Sequence, residues 1–353
     1  MKPKEAELCD QVKASLVKTL QQIPLDAKPA DFTLSLEGRA ADFVLRVSGS
    51  FGEKTLVGDF RRSGQPRFIR DGVEALRKYL GTLEGAYGVV TAPYISPDGA
   101  ELCRLEGVGY ADLAGNCRIS FGTVHVERTG LPNPYAKDYR RELRSLYTPK
   151  CERVLRVLLE EPGRKWSTLP LAAAAGVSPA LISKIRKALV NREWLGGGHG
   201  GFTLRSALPL LAEWAANYRW DRNAVGRYYS PEDSAAAERR LAERCAARGV
   251  HCCMTGFSAA ARLAPMVNDG RTFAYVERGA AGIAEEAGLK PVPSGANVML
   301  ITPYDEGVFI GALEVDGATV ASPYQTYLDL TALGGRGAEA AEAVLEQRIR
   351  PRW

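Results

Sequence analysis

Histidine is almost missing from this chain: His125, His199 and His251 are the only three in 353 residues. Ser258, the one serine at a suggestive strand-to-helix turn, has no histidine partner, so hydrolysis through a base-activated serine is not expected. The seven cysteines (Cys9, Cys103, Cys117, Cys151, Cys245, Cys252 and Cys253) form no CxxC pair. With no histidine pattern beside them they argue against a zinc site, and their odd, scattered number predicts reduced thiols in a cytoplasm. Cys252 and Cys253, in an apolar neighbourhood, read as buried strand residues. No run of about 18 uninterrupted apolar residues exists, so no membrane span is expected. The start, Met1-Lys-Pro-Lys-Glu-Ala-Glu7, lacks the apolar core of a signal peptide. The glycine-lysine-serine spacing of a P-loop is also missing. Thr255-Gly-Phe-Ser258 stands where a helix start could cradle a phosphate, but close packing of that start is the simpler reason for Gly256.

What the chain does have is length for two or three domains, with the 46% hydrophobic and 25% charged content of an ordinary soluble protein. Its net charge of +5 is unevenly spread. Residues 149–205 hold ten basic and four acidic residues, whereas residues 206–353 hold 15 and 18. The basic stretch also has a recognisable order. Cys151–Glu161 is apolar at helical spacing and is closed by Pro162-Gly163; Leu169–Ala175 ends in Gly176-Val-Ser178; Pro179–Asn191 follows at once; then come Gly196-Gly-Gly-His-Gly-Gly201 and the strand-like Phe202–Arg205. Helix, helix, tight turn, helix and glycine-tipped ribbon is the order of a winged helix-turn-helix. In the third helix Ser178 is placed to cap and Pro179 suits the first turn. Leu181, Ile182, Ile185 and Leu189 fall on one side, and Ala180, Ser183, Lys184 and Lys187 on the other. That second face is small, polar and basic, as a helix entering a major groove requires. Ser178, Ala180, Ser183, Lys184 and Lys187, with His199 at the wing tip and Arg205 at its end, are the candidate DNA contacts. Trp166 and Trp194 read as the module's core.

Ahead of it, residues 1–130 alternate helices and strands. Predicted strands include Asp31–Glu37, Ala41–Ser48, Lys54–Arg61 and Tyr87–Thr91, with helices over Glu5–Gln22, Arg67–Leu80 and Asp98–Arg104. Asp42, followed by Asp59-Phe60-Arg61, resembles the acid, then acid-x-lysine layout of nucleases of the restriction-endonuclease-like fold, whose carboxylates hold a divalent metal. Arg61 departs from that pattern. A guanidinium stays protonated and does not replace a tunable lysine, so a degenerate nuclease-like scaffold without catalytic residues is expected. Tyr110 and Asp112 read as structural. Residues 131–148 form a linker in which Arg140, Arg141 and Arg144 could add phosphate contacts.

Residues 206–353 read as a second α/β unit, with strands at Val250–Met254, Phe273–Val276, Val298–Ile301, Val308–Ile310 and Thr319–Ala321, and a last helix from Gly337. Several passages here carry a likeness: Thr255-Gly-Phe-Ser-Ala-Ala260, Gly295-Ala-Asn-Val298, Thr302-Pro-Tyr-Asp305, Ser322-Pro-Tyr-Gln-Thr-Tyr-Leu-Asp-Leu330 and Gly334-Gly-Arg-Gly-Ala-Glu-Ala-Ala341. Together with the winged segment they resemble AbiEi-type antitoxins of type IV toxin–antitoxin systems. The resemblance implies a cytoplasmic regulator that binds double-stranded operator DNA and represses its own operon. It also implies indirect neutralisation of a nucleotidyltransferase-like toxin, with no cofactor and no membrane; a homodimer is compatible with it. Gln325, Tyr327, Asp329, Arg336 and Glu339 are the C-terminal positions it singles out, with a buried polar network as the structural alternative. The fold expected is thus α/β (α+β): a nuclease-like domain over 1–130, a linker over 131–148, a winged helix-turn-helix over 149–205 and an antitoxin-type α/β domain over 206–353. The competing functions are a metal-dependent nuclease targeted by the winged helix, and a toxin-neutralising interaction protein.

Overall fold

A computed structural model of the chain describes residues 3–23, 25–36, 39–133, 146–198, 200–265 and 270–353. They form twelve α-helices and sheets of mixed strand direction, an α+β class. The chain divides into two compact units, Met1–Arg141 with Val190–Glu193, and Glu142–Leu189 with Trp194–Trp353. The winged segment and the C-terminal α/β region therefore share one unit.

The first unit is built on a seven-stranded sheet. Its elements in chain order are α1 (Pro3–Gln21), β1 (Asp26–Pro29), the small ladder β2 (Ser35–Leu36) and β3 (Arg39–Ala40), β4 (Phe43–Gly49), β5 (Gly52–Phe60), α2 (Pro66–Leu80), β6 (Tyr87–Ala92), α3 (Pro97–Leu105), β7 (Gly109–Asp112), β8 (Cys117–Phe121) and β9 (Val124–Arg128). The sheet order is β1-β4-β5-β6-β7-β8-β9, parallel at β5/β6 and β6/β7 and antiparallel elsewhere. Both faces are covered. Val12, Leu16 and Leu20 of α1 pack on one with Leu45, Val47 and Leu56; Ile69, Val73 and Leu76 of α2 pack on the other with Val57 and Val90. Of the strand expected over Asp31–Glu37, whose last residue lies outside the described residues, only Ser35–Leu36 is a strand, and the edge of the sheet is instead β1, mostly exposed with no alternation.

The second unit opens with α4 (Pro149–Glu160), α5 (Thr168–Ala175), α6 (Pro179–Asn191) and the ribbon β10 (Leu195–Gly198) and β11 (Gly201–Leu204). It continues with α7 (Ala207–Asn217), β12 (Ala224–Tyr229), α8 (Ser234–Ala247), β13 (Cys252–Met254), α9 (Gly256–Leu263), β14 (Thr272–Val276), α10 (Ala280–Glu286), β15 (Lys290–Pro291), β16 (Val298–Thr302), β17 (Leu313–Val315), β18 (Ala318–Val320), α11 (Pro323–Leu333) and α12 (Arg336–Val344). The last seven strands form one sheet in the order β15-β12-β16-β14-β13-β18-β17. Val308–Ile310 is not a strand. The Asp305 carboxylate accepts the Gly307 N–H at 2.8 Å and winds Glu306–Phe309 into a short 3-10 turn. Among the described residues no single helix is long and apolar enough to cross a membrane.

Helix α4 explains why winged segment and α/β body do not separate. Val154, Leu155, Val157, Leu158 and Leu159 are buried, and so are Glu152 and Arg156. A helix covered all round lies between two layers, not on a surface.

Candidate nucleic-acid interface

The candidate surface follows from local rules. Gly176, in the left-handed region (φ 61°, ψ 40°), stops α5 by giving its N–H back to Ala172 and Ala173. The chain then turns α6 through 108° relative to α5, within the range of helix-turn-helix pairs. Ser178 Oγ accepts the Leu181 N–H at 3.4 Å as α6 begins. Ile182, Ile185 and Leu189 are buried and Leu181 only partly so. Ala180, Ser183, Lys184 and Lys187 are exposed, with Ser183 Oγ donating to the Pro179 carbonyl.

The ribbon β10/β11 is antiparallel, from Leu195 opposite Leu204 to Gly198 opposite Gly201. Trp166 extends it by two backbone hydrogen bonds with Phe202, both 2.8 Å. Trp166 and Trp194 are buried under it. The glycines make room for cations. A Cβ on Gly196 would fall 1.7 Å from Arg205 Nε, and one on Gly200 would fall 2.7 Å from Lys165 Nζ. Arg205 and Lys165 thus lie flat on the ribbon, both exposed. His199 lies outside the described residues, as do Arg140, Arg141 and Arg144.

Sequence reasoning missed Lys165 and also Arg186. Arg186 falls about 40° from Ile182 on the helical wheel, at the edge of the apolar stripe, so a periodicity argument groups it with the covered side. Instead its stem crosses the ribbon and sets the guanidinium 5.1 Å from the centre of the Phe202 ring, exposed to solvent. The charge count misled in the other direction. Of the ten basic residues, Arg153, Arg156 and Arg192 turn inward, and the first two are held by the α/β body.

That inward set is a polar joint. Arg153 forms a bidentate pair with Asp305, both bonds 2.8 Å, and a third bond with Glu306 at 2.8 Å. Glu152, fully buried, accepts from the Tyr304 hydroxyl and has Arg222 at 3.7 Å and Arg156 at 3.9 Å. Arg156 donates twice to Gln325 Oε1 (3.0 and 2.5 Å) and lies 4.9 Å from the centre of the Trp214 ring. Gln325 Nε2 donates to Asp329 at 2.8 Å. Asp329 also accepts from Tyr218 (2.8 Å), Tyr275 (3.0 Å) and Thr255 (2.5 Å). The joint thus runs from the first helix of the winged segment to the middle of the C-terminal sheet.

Gln325 and Asp329, both predicted, meet here because they lie four residues apart on α11. Tyr327, two residues from each, turns to the opposite face and is half-buried. Arg336 and Glu339 sit exposed on α12. Of the other members, Glu152, Arg156, Tyr218 and Tyr275 had no sequence signal beyond being polar residues in apolar segments, while Thr255 and Tyr304 lay in the family-like passages without a role assigned to them. The two hydroxyls of the suspected phosphate turn are consumed: Thr255 by Asp329, and Ser258 by donating to Glu238 (2.5 Å) and accepting the Phe273 N–H (3.0 Å). Gly256 has φ +50° and a Cβ there would meet the Phe273 ring at 3.3 Å.

Burial pushes the Asp329 carboxyl up to about 6 against four hydrogen bonds that favour its charge. It pushes Glu160, at the end of α4, up to about 7 despite Arg352 nearby. Both groups hold their proton more tightly folded than unfolded. Their contribution to stability is complete below the ordinary carboxylate range and is lost as pH rises through about 6 and about 7. Urea unfolding should therefore show stability falling from pH 5 to 7.5, and Glu160→Gln should remove about 3 kcal/mol of that fall. Superimposable profiles for the two proteins would contradict this.

In the first unit, Asp59 is buried and paired with Arg61, Nε to Oδ2 at 2.5 Å and a terminal nitrogen to Oδ1 at 2.9 Å, while Arg61 also donates to the Asp71 carbonyl. Asp42 accepts the Phe60 N–H at 2.7 Å. The guanidinium thus takes both oxygens a cation would use. Among the described residues no group of three His, Cys, Asp or Glu side chains is arranged to hold a metal. Asp112 accepts from Ile95 and Asn116 and braces the turn between β7 and β8. Supercoiled DNA incubated with the protein and Mg²⁺ or Mn²⁺ should stay intact; cleavage abolished by Asp59→Ala would restore the nuclease reading.

Residues 204–350 match the family model described as a transcriptional regulator, AbiEi antitoxin, of type IV toxin–antitoxin systems. The match begins at the last residue of the ribbon and takes in the α/β body with Gln325 and Asp329. Neither the curated proteins nor the solved structures contain a match to the chain.

Proposed function

We propose that this chain is a sequence-specific DNA-binding transcriptional regulator, an antitoxin-like protein that represses its own operon. The observation that carries the reading is where the cations of the winged segment go. Lys184, Arg186 and Lys187 on α6, and Lys165 and Arg205 on the ribbon, are exposed, while Arg153 and Arg156 are engaged by the body behind. An outward set of this kind suits a phosphate backbone flanking a groove. Ala180 and Ser183, small and near the start of α6, leave room for base edges. The family match of the attached body supports regulation of an antitoxin type.

In this reading the partner is duplex operator DNA, and a nucleotidyltransferase-like toxin is counteracted through control of expression or indirectly. The N-terminal unit adjusts when or where the protein binds and cuts nothing. Gel shifts with the DNA upstream of its own coding sequence should give a complex that unlabelled upstream DNA competes away and unrelated DNA does not. A reporter driven by that DNA and left unrepressed by the protein would overturn the regulatory claim. Co-expression with the neighbouring gene, scored for growth, tests the antitoxin claim separately.

A further inference from the structure

The first unit holds a cavity of about 280 Å³ beside the C-terminal strands of its sheet. Its floor is a row of side chains. Tyr110 stands opposite Arg118 in the β7/β8 ladder, and Arg118 stands opposite Glu127 in the β8/β9 ladder, so the three share one face of the sheet. Helix α3 supplies a wall with Pro97, Ala100 and Arg104, spaced by three and four residues and therefore on one side of the helix. A further wall is Thr129–Gly130. Asn116 pins it by accepting the Leu131 N–H at 2.8 Å and donating to the Leu131 carbonyl at 3.3 Å.

The polar groups around this space are unevenly satisfied. Arg104 is taken up by Glu101, through bonds of 2.7 and 2.5 Å. Glu127 is exposed and has His125 Nε2 at 3.4 Å. Arg118 is half-buried, and its guanidinium makes no hydrogen bond or ion pair among the described residues. Tyr110 is only 3% exposed, yet its hydroxyl has no hydrogen-bond partner among the described residues. Buried hydroxyls are normally paired, so a tyrosine placed there for structure alone would have a partner. Burial pushes this hydroxyl up to about 12, which keeps it protonated and able to donate. Two neighbouring donors, one of them a cation, therefore line a cavity whose other walls include the apolar Ile95, Pro97 and Ala100.

We propose that this cavity binds a small organic acid, its carboxylate held by Arg118 and Tyr110 and its apolar body lying against Ile95, Pro97 and Ala100. The planar guanidinium fork matches a carboxylate in two parallel bonds, and the tyrosine hydroxyl adds a third donor. A volume at the small end of ligand sites suits a single ring or a short chain, not a nucleotide. Glu127 does not reverse the preference, because an exposed carboxylate is screened by water and salt, whereas Arg118 is the more covered of the two. Every residue of the site belongs to the first unit. The inference therefore stands apart from the DNA-binding reading of the winged segment, and its test contains no DNA.

Benzoate, benzyl alcohol and benzylamine carry the same ring and differ in charge. Titrated against the full chain and followed by saturation-transfer NMR, benzoate should bind at least about tenfold more tightly than the alcohol or the amine. Arg118→Met should weaken benzoate binding about tenfold or more, and Tyr110→Phe about fivefold, the effect of one hydrogen bond. Ala100→Phe, which fills the apolar end, should exclude the ring. Methionine and phenylalanine nearly keep the size of the side chains they replace, so a circular dichroism spectrum matching the wild type separates loss of the site from loss of the fold. Absence of benzoate binding to the wild type, tighter binding of the amine or the alcohol, or undiminished binding in both Arg118→Met and Tyr110→Phe would overturn the proposal.

Discussion

Replacing Asp329 by alanine should cost about 4 kcal/mol of unfolding free energy, measured by urea denaturation at neutral pH. Four donors lose their acceptor at once: the hydroxyls of Tyr218, Tyr275 and Thr255, and the amide of Gln325. All four side chains are buried. A buried donor without a partner costs about 1–3 kcal/mol, and some of that is recovered because Gln325 can still donate to Tyr218 and Tyr275, at 2.9 and 3.2 Å. Asp329→Asn keeps one oxygen in place for three of the donors and should cost about 1 kcal/mol. The consequence reaches beyond the α/β body, because Gln325 also receives Arg156 from α4. A loss in Asp329→Ala no larger than in Asp329→Asn would show that the joint is not organised by this carboxylate.

The second large effect concerns the outward cations. Lys184→Ala, Arg186→Ala and Lys187→Ala combined should weaken binding to duplex DNA about 100-fold at 0.15 M salt, and flatten its salt dependence by about three in slope. Each exposed cation that neutralises a phosphate releases counterions, and three such contacts are removed together. Arg186 carries a share that the sequence pattern would not assign to it, since its guanidinium reaches solvent across Phe202. None of the three side chains is buried, so stability should stay within about 0.5 kcal/mol of the wild type. The variant thereby separates binding from folding. Unchanged affinity in the triple variant would remove α6 from the interface.

How much of this was legible in the sequence depended on the kind of signal. Turn chemistry was legible: Gly176, Ser178 and Pro179 fix the helix boundaries by rules local to the chain. Apolar periodicity was legible too, and it located α2, α6, β6, β14 and β16 to within a residue or two. The edge strand β1 and the strand next to the edge, β12, were not, because both are covered on too little of their surface to alternate. The polar joint was half legible. Spacing of four put Gln325 and Asp329 on one face of α11, but their partners come from α4, β14 and the segments before β12 and α9, separated by up to 169 residues. Arg156 is the clearest loss. A charged residue in an amphipathic helix reads as solvent-facing, and only the presence of a second layer over α4 makes it a buried donor. The same blindness inflated the basic surplus of the winged segment, since a charge count does not separate cations facing outward from cations facing the protein's own acids.

The most direct test of the central claim is the affinity of the intact protein for a labelled duplex from upstream of its own coding sequence, measured by fluorescence anisotropy across a salt series. With Lys165, Lys184, Arg186, Lys187 and Arg205 meeting phosphates, log K should fall linearly against log salt with a slope of about −4.5, and a scrambled duplex should bind more weakly at every salt concentration. Absence of binding at low salt, or equal affinity for the scrambled duplex, would contradict the account.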